Sequence, residues 1–332
     1  MKAIDKKFWR NRKVFITGFE GFLGSHLTRA ILQAGAKVVG LDIKTLRKDT
    51  ILCPQDYKKM VVYKGSVTNR NLVRGILRKH SINVIFHLAA EAIVSRSQAN
   101  PSKAFKSNIT GTWEVLEAAR LQRDAQAIIV ASSDKAYGDH KKLPYREDAP
   151  LIANHPYDVS KSCADLITNT YFHTYGLPVA ITRCGNIYGP GDFNFSRLIP
   201  DAIRSILSNK TLKIRSDGQF VRDYVYVDDI VNGYIKIAEL FRRRNLGGEA
   251  FNLSDEKPLT VMGILKEINN LGFTGHKLKY KVMNIAKYEI REQYLSSTKA
   301  RSSLGWKPKY NISDGLKNTV DWYLSYFRKQ QL

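Results

Sequence analysis

Lys13-Val14-Phe15-Ile16-Thr17-Gly18-Phe19-Glu20-Gly21-Phe22-Leu23-Gly24 is the stretch that decides the fold. A short β-branched run ends at Thr17 and passes directly into glycines, and apolar residues then recur with helical periodicity at Phe22, Leu23, Leu27, Ala30 and Ile31. Gly35 is the stop signal for that helix. Glycines between strand and helix leave no Cβ where the chain turns tightly, and they bring backbone N–H groups to the helix N-terminus. Their spacing, GxxGxxG at Gly18, Gly21 and Gly24, is a variant of the fingerprint that seats a pyrophosphate. The next strand, Lys37-Val38-Val39-Gly40-Leu41, ends at Asp42, where a carboxylate can bind both ribose hydroxyls of an adenosine. The same carboxylate repels a 2′-phosphate, so the pattern predicts NAD over NADP, with Lys44 and Arg47 nearby pulling the other way.

Working outward, short apolar runs predict further buried strands at 60–63, 84–88, 127–131 and 179–182, with helices at 103–121, 156–175 and 196–208. Strand and helix alternating in this way predict an α/β fold with a parallel, doubly wound sheet. After about residue 185 the pattern loosens into short strands at 212–215, 224–227 and 251–253 and helices near 228–241 and 260–270. No Pro- or Gly-rich linker divides the chain. The expected organisation is therefore a dinucleotide-binding part, 1–185, carrying the catalytic residues, and a smaller α/β substrate-binding part, 186–332, with the chain crossing between them.

With 332 residues, 43% hydrophobic and 25% charged, the chain has the proportions of a globular protein with a real core, which excludes disorder. No apolar run approaches the ~18 residues of a membrane span, and charged residues around Phe8 and Trp9 interrupt the N-terminus, so a cytoplasmic location is expected. Cys53, Cys163 and Cys184 are far apart and odd in number, and the seven histidines contain no HxxxH, so neither a disulfide framework nor a metal site is expected. The abnormal number is the net charge of +23. It is spread over both ends of the chain with only Arg242-Arg243-Arg244 as a compact cluster, whereas nucleic-acid binders concentrate charge on one element. A basic surface that attracts anionic metabolites is the preferred reading.

Two runs carry chemistry. Tyr157-Asp158-Val159-Ser160-Lys161 follows Pro156, which suits the first turn of a helix, and positions i and i+4 share a face. A nearby ammonium favours the phenolate of a tyrosine, making a base for a hydroxyl proton. Ser132-Ser133-Asp134-Lys135 comes directly off the fifth strand, at the carboxyl edge where such sheets bind ligands. Asp134 and Lys135 are candidates for a proton donor and a proton acceptor, with Ser133 steering a substrate oxygen toward Tyr157.

Nearly end to end, the chain resembles the extended short-chain dehydrogenase/reductases that act on nucleotide sugars. The matching pieces are Thr17 to Gly24, His87-Leu88-Ala89-Ala90, Asn108 with Gly111-Thr112, and Tyr157 with Lys161. Arg183 to Gly189, Arg222 to Asp229 and Leu304-Gly305-Trp306-Lys307-Pro308 complete them. The resemblance implies a Rossmann-type fold with NAD held by Gly18, Gly21, Phe22, Leu23, Gly24, Asp42, Val67, Leu88, Ala89, Ala90, Tyr157 and Lys161. It implies a nucleotide-diphosphate sugar at Glu91, Ser133, Asn186, Arg197, Arg222 and Arg291. Epimerases of the family generally lack the acid and base at 134 and 135, whereas Asp134-Lys135 resembles a 4,6-dehydratase.

The implied activity is that of a lyase removing water from an NDP-hexose to give the 4-keto-6-deoxy sugar. Tyr157 is the implied base at the C4 hydroxyl, Lys135 the base at C5 and Asp134 the acid at the C6 hydroxyl. The Lys form of the pair resembles both CDP-glucose 4,6-dehydratases and inverting UDP-N-acetylglucosamine dehydratases. Phe8-Trp9 and residues 157–165 resemble the CDP-glucose branch, making CDP-glucose the first expectation; an epimerase, or a dehydratase of a UDP, dTDP or GDP sugar, is the alternative. A homodimer is also implied, because the family pairs the helices equivalent to 103–121 and 156–175 across a two-fold axis. A non-catalytic NAD sensor is disfavoured because Tyr157 and Lys161 are both present, and an RNA-binding relative would show steeply salt-dependent binding without turnover.

Overall fold

The computed structural model of the chain describes residues 4–286 and 289–330. Its central feature is a seven-stranded, wholly parallel sheet. The strands are β1 (Lys13–Thr17), β2 (Lys37–Asp42), β3 (Met60–Lys64), β4 (Val84–His87), β5 (Ala127–Ala131) and β6 (Val179–Cys184), with Ala250–Leu253 added beyond β6. The order places β4 between β1 and β5, so the connections reverse direction between β1 and β4. That reversal opens a crevice at the carboxyl ends of the strands.

Both faces of the sheet are covered, which is why its strands read as continuous apolar runs. Val14 and Ile16 turn to one face, where they join Leu27 and Ile31 of the helix Phe22–Gln33 and Ile230 and Ile235 of the helix Val227–Leu240. Phe15 turns to the other, against Val73, Ile76 and Leu77 of the helix Arg70–His80 and Val115 and Leu116 of the helix Gly111–Gln122. A third cluster lies in the last third of the chain. There the helices Leu198–Leu207, Val261–Asn270 and Ile312–Gln330 bring Ile203, Ile264, Leu316 and Tyr323 together. No helix among the described residues is long and apolar enough to cross a membrane.

The doubly wound parallel sheet expected from the sequence is present, with local differences. The stretch read as one helix over 103–121 is Pro101–Phe105, a π-helical turn Lys106–Thr110, and Gly111–Gln122. The widened turn carries Asn108 inward, where it bonds to two other elements; such turns are frequent at functional sites. The strand expected at 84–88 stops at His87, because the next two backbone N–H groups turn to the Thr17 hydroxyl. The strand expected at 224–227 stops at Tyr226, since Val227 is already the first residue of the next helix.

The glycine loop is set by close backbone approach. Gly18 has φ +70° and lies against the Ala89 backbone, and a Cβ on Gly24 would stand 2.0 Å from the Gly18 carbonyl oxygen. Gly24→Ala should therefore lower stability by about 1–3 kcal/mol, the usual cost of overpacking. Gly75, inside the helix Arg70–His80, has nothing within 4 Å of a Cβ, so Gly75→Ala should raise stability by about 0.5–1 kcal/mol. Urea unfolding of the two variants, measured side by side, checks both signs.

Candidate active site

The crevice is assembled by hydrogen bonds at the strand ends. Thr17 Oγ1 accepts from the Leu88 and Ala89 N–H groups, each at 3.2 Å, and contacts His87 Nδ1 at 2.8 Å. His87 Nε2 reaches the Thr112 hydroxyl at 3.1 Å, and that hydroxyl donates to the Asn108 carbonyl at 2.6 Å. The Asn108 side chain accepts from the Glu91 N–H at 2.7 Å and donates to the Ser160 hydroxyl at 2.9 Å. Ser160 in turn donates to the Tyr157 carbonyl at 2.6 Å. One buried polar line thus joins β1, β4, the π-helical turn and the helix Pro156–Tyr175.

Tyr157 and Lys161 lie one turn apart on that helix and are both buried. Burial pushes the Tyr157 phenol up to about 12; the Ser133 hydroxyl and the Arg197 charge act against this, and Asp134 and Asp158 reinforce it. Burial pulls Lys161 down to about 8, against the Asp165 and Cys184 charges. The Lys161 ammonium donates to the Ala131 carbonyl at the end of β5, at 2.8 Å.

Ser133 caps a 3₁₀ turn, Asp134–Tyr137, that leaves β5. Its hydroxyl accepts from the Lys135 N–H at 3.2 Å and donates to Asp134 Oδ1 at 2.9 Å. Asp134 is 3% exposed, and burial raises its carboxyl above the ordinary range against the pull of Lys135, Ser133 and Arg222. Lys135 is half-buried and donates from Nζ to Gln293 Oε1 at 3.2 Å.

The arginines take three different environments. Arg222 is buried, and its guanidinium donates to the carbonyls of Val221, Ile290 and Arg291. The exposed Arg291 pairs with Asp217 at 2.9 Å, and both guanidinium groups lie 5.6 Å from the Phe220 ring centroid. Arg197 pairs with Asp192 at 3.0 Å and stands 5.9 Å from the ring of Phe22 in the glycine loop. Asn186 is half-buried and in parallel register with Tyr224, while Val67 is buried beneath Gly111.

The family model described as GDP-mannose 4,6 dehydratase matches residues 15–319. The chain belongs to that family. Among curated relatives, the UDP-glucuronate 4-epimerase of Thermodesulfobacterium geofontis is 32% identical over 92% of this chain and 94% of its own. The CDP-glucose 4,6-dehydratase of Salmonella typhimurium is 29% identical over 99% and 95%. Among solved structures, the dTDP-glucose 4,6-dehydratase of Bacillus anthracis in complex with NAD superposes with a TM-score of 0.83 at 28% identity, covering 95% of this chain and 97% of that one. The resemblance to extended short-chain dehydrogenase/reductases of nucleotide sugars is thereby borne out. Members at similar identity differ in nucleotide and in reaction.

Within this GDP-mannose 4,6-dehydratase family member, two features of the site have no forewarning in the sequence reading. Glu20, inside the glycine loop, is buried and accepts from the Leu46 and Arg47 N–H groups and from the Tyr57 hydroxyl. It fastens the segment after Asp42 onto the loop. Gln293 reaches Lys135 from a two-residue strand, Glu292–Gln293, with no periodic signal of its own.

His87 offers a direct check of the polar line. Complete burial, with a smaller contribution from the Lys161 charge, lowers it from an ordinary 6.5 to about 3. The unfolded chain therefore binds the extra proton more readily between those values, so stability should be full above about pH 6.5 and fall as pH drops toward about 3. His87→Gln, which retains an amide donor and acceptor, should be less stable at pH 7 and have a shallower acid slope. Urea midpoints of both proteins between pH 3.5 and 7.5 measure the difference.

Proposed function

We propose that this chain is an NAD-dependent NDP-hexose 4,6-dehydratase, with CDP-glucose as the first substrate to try. The observation that carries the reading is the pair Asp134 and Lys135 on the turn after β5, with the carboxyl buried and raised toward its neutral form. An acid that holds its proton and a neighbouring amine are what elimination of water needs beyond a hydroxyl base. The NAD-bound dTDP-glucose 4,6-dehydratase with the same fold supports it.

The residues present fit a dinucleotide. Gly18 at φ +70° and Gly24 against the Gly18 carbonyl leave no room for a Cβ, and no side chain caps the helix that starts at Phe22. Gly18, Gly21, Phe22, Leu23 and Gly24 would hold the pyrophosphate. Asp42, buried at the end of β2, would hold the adenosine ribose, with Val67 on the adenine side. Leu88, Ala89, Ala90, Tyr157 and Lys161 would line the nicotinamide half. When bound, NAD supplies a reversible hydride acceptor and a fixed positive charge.

The chain's own residues then divide the proton transfers. Tyr157 takes the proton of the C4 hydroxyl, with Ser133 steering that oxygen and Lys161, one turn along the same helix, held by the Ala131 carbonyl. The 4-ketone acidifies the hydrogen on C5. Lys135 removes it, and Asp134 gives its proton to the departing C6 hydroxyl, so that water leaves; return of the C4 hydride to C6 and of a proton to C5 would complete the 4-keto-6-deoxy sugar with no net redox change. Asn186, Arg197, Arg222 and Arg291 are proposed for the nucleotide and diphosphate, with Glu91 at the sugar. Guanidinium groups suit phosphate oxygens.

The 32% identical epimerase favours a second reading, 4-epimerisation of a UDP sugar. The two readings part at elimination. In deuterated water a dehydratase should place one solvent deuterium at C5, and deuterium supplied at C4 should reappear at C6. Tyr157→Phe, Lys135→Ala and Asp134→Asn should each lower turnover by about 10²- to 10⁴-fold while nucleotide-sugar affinity is kept. A panel of CDP, UDP, dTDP and GDP sugars, read by the alkaline absorbance of the 4-keto product, decides the nucleotide. Inverted C4 stereochemistry with no water loss would establish the epimerase.

We also propose a homodimer through the helices Gly111–Gln122 and Pro156–Tyr175. Their inner residues Val115 and Leu116 are buried, whereas Trp113 is 41% and Leu166 55% exposed. Outward tryptophan and leucine on adjacent helices suit a self-complementary contact. Light scattering at micromolar concentration should give twice the chain mass, and Trp113→Glu with Leu166→Glu should return it to the monomer.

A further inference from the structure

The segment 290–297 is fastened at several points beside the Ser133–Lys135 run. Leu295 N–H donates to Asp223 Oδ2 at 2.6 Å, Tyr145 N–H to the Tyr294 carbonyl at 2.9 Å, and Ser296 N–H to the Tyr145 carbonyl at 2.8 Å. The strand Glu292–Gln293 runs parallel to Val221–Arg222, with Gln293 opposite Arg222. Gln293 has 0% exposure, and its Oε1 accepts from Lys135 Nζ at 3.2 Å. Its Nε2 is buried with no acceptor among the described residues.

Turning the amide over does not repair this, since Nε2 would then face an ammonium that has nothing to accept with. An amide N–H₂ left unpaired in the interior is costly, and methionine would fill the same space without that cost. The side-chain contact that Gln293 makes in return is the one to Lys135. A carboxylate of the same shape would also bond the lysine, but it would set a new negative charge directly on the amine, beside Asp134 and Asp158, whose carboxyls burial raises against the lysine charge. Arg222 bears on both carboxyls, His155 on Asp158, and Asp134 on Asp223. An anion bonded directly to the amine would favour its ammonium form.

We propose that Gln293 is the positioning residue of Lys135, fixing the direction of its amine through a neutral acceptor. The inference rests on the dehydratase reading and adds to it a residue 158 positions away in sequence. It explains why a buried strand position carries an amide with half its capacity unused.

The test uses the full chain and two variants, Gln293→Met and the isosteric Gln293→Glu. Acetic anhydride labelling of Lys135, followed by peptide mass spectrometry across pH without any nucleotide sugar, reads the amine directly. Gln293→Glu should move the labelling midpoint up by about one pH unit or more, and the low-pH limb of kcat should move with it. Gln293→Met should lower kcat by about tenfold or more with KM nearly unchanged, as expected for a misdirected base. Its urea midpoint should be equal to or above that of the parent. A Met variant with parental kcat, or a Glu variant with an unmoved labelling midpoint, overturns the role of Gln293. Failure of the unmutated chain to dehydrate any nucleotide sugar is a different result, and it overturns the parent reading.

Discussion

Everything at the carboxyl edge of the sheet depends on one run of buried hydrogen bonds whose direction is fixed. The Thr112 hydroxyl spends its hydrogen on the Asn108 carbonyl, so toward His87 it can only accept. His87 must then carry its hydrogen on Nε2 and accept from Thr17 at Nδ1, while Thr17 accepts from the Leu88 and Ala89 N–H groups. A second proton on His87 would break this order in the middle. Each such bond is worth about 0.5–1.5 kcal/mol net, but a buried group stripped of its partner costs about 1–3 kcal/mol. The line therefore matters more for what its loss would expose than for what it contributes. It joins the strand that leads into the glycine loop to the helix that carries Tyr157, and so sets the distance between the two halves of the crevice.

Burial is the dominant electrostatic influence on the groups around that line, and it drives each toward its neutral form. It raises Asp134 and Tyr157 and lowers His87 and Lys161. For the proposed acid this is the favourable direction, since burial raises Asp134 toward the form that carries a proton. For the proposed base at C4 it is the reverse, since a phenol near 12 holds its proton at neutral pH. Tyr157 thus needs positive charge close by; Arg197 is the cation that acts on it, while the Lys161 ammonium is bonded to the Ala131 carbonyl. The fixed charge of a bound nicotinamide is of the right sign. The same dry environment that suits Asp134 to the proposed acid would let Tyr157 act as the proposed base only with a positive partner in place.

The sequence was most legible where local pattern and global fold demand the same residue. Gly18 and Gly24 are needed both by the turn and by backbone contact, and β-branched runs such as Val14 to Thr17 are buried on both faces, so short apolar segments could be read as strands. The π-helical turn was not legible, because 103–121 keeps ordinary helical periodicity on both sides of it. What widens the turn is the reach of Asn108 to Glu91 and Ser160, which are distant in sequence. Glu20 and Gln293 escaped for the same reason. A carboxylate in a glycine loop and an amide in a two-residue strand have no local signature, and their meaning comes from Tyr57, Arg47 and Lys135 folding onto them.

Overall likeness carries little information about which reaction this site performs. An epimerase and a dehydratase of the family lie within three percentage points of identity to this chain, because sheet, glycine loop and crevice are common property of both chemistries. Reversible oxidation at C4 needs only the hydroxyl base and the cofactor. Elimination adds two demands at the far side of the ring, a base for C5 and an acid for the C6 hydroxyl. In the proposed reading two residues of 332, Asp134 and Lys135, meet them, and overall identity cannot register so small a difference. Chemistry can register it, since a buried carboxyl on the turn after β5 is an expense that epimerisation gives no reason to retain. The burial of Asp134 beside Lys135 therefore weighs more in the proposed reading than the ranking of relatives does.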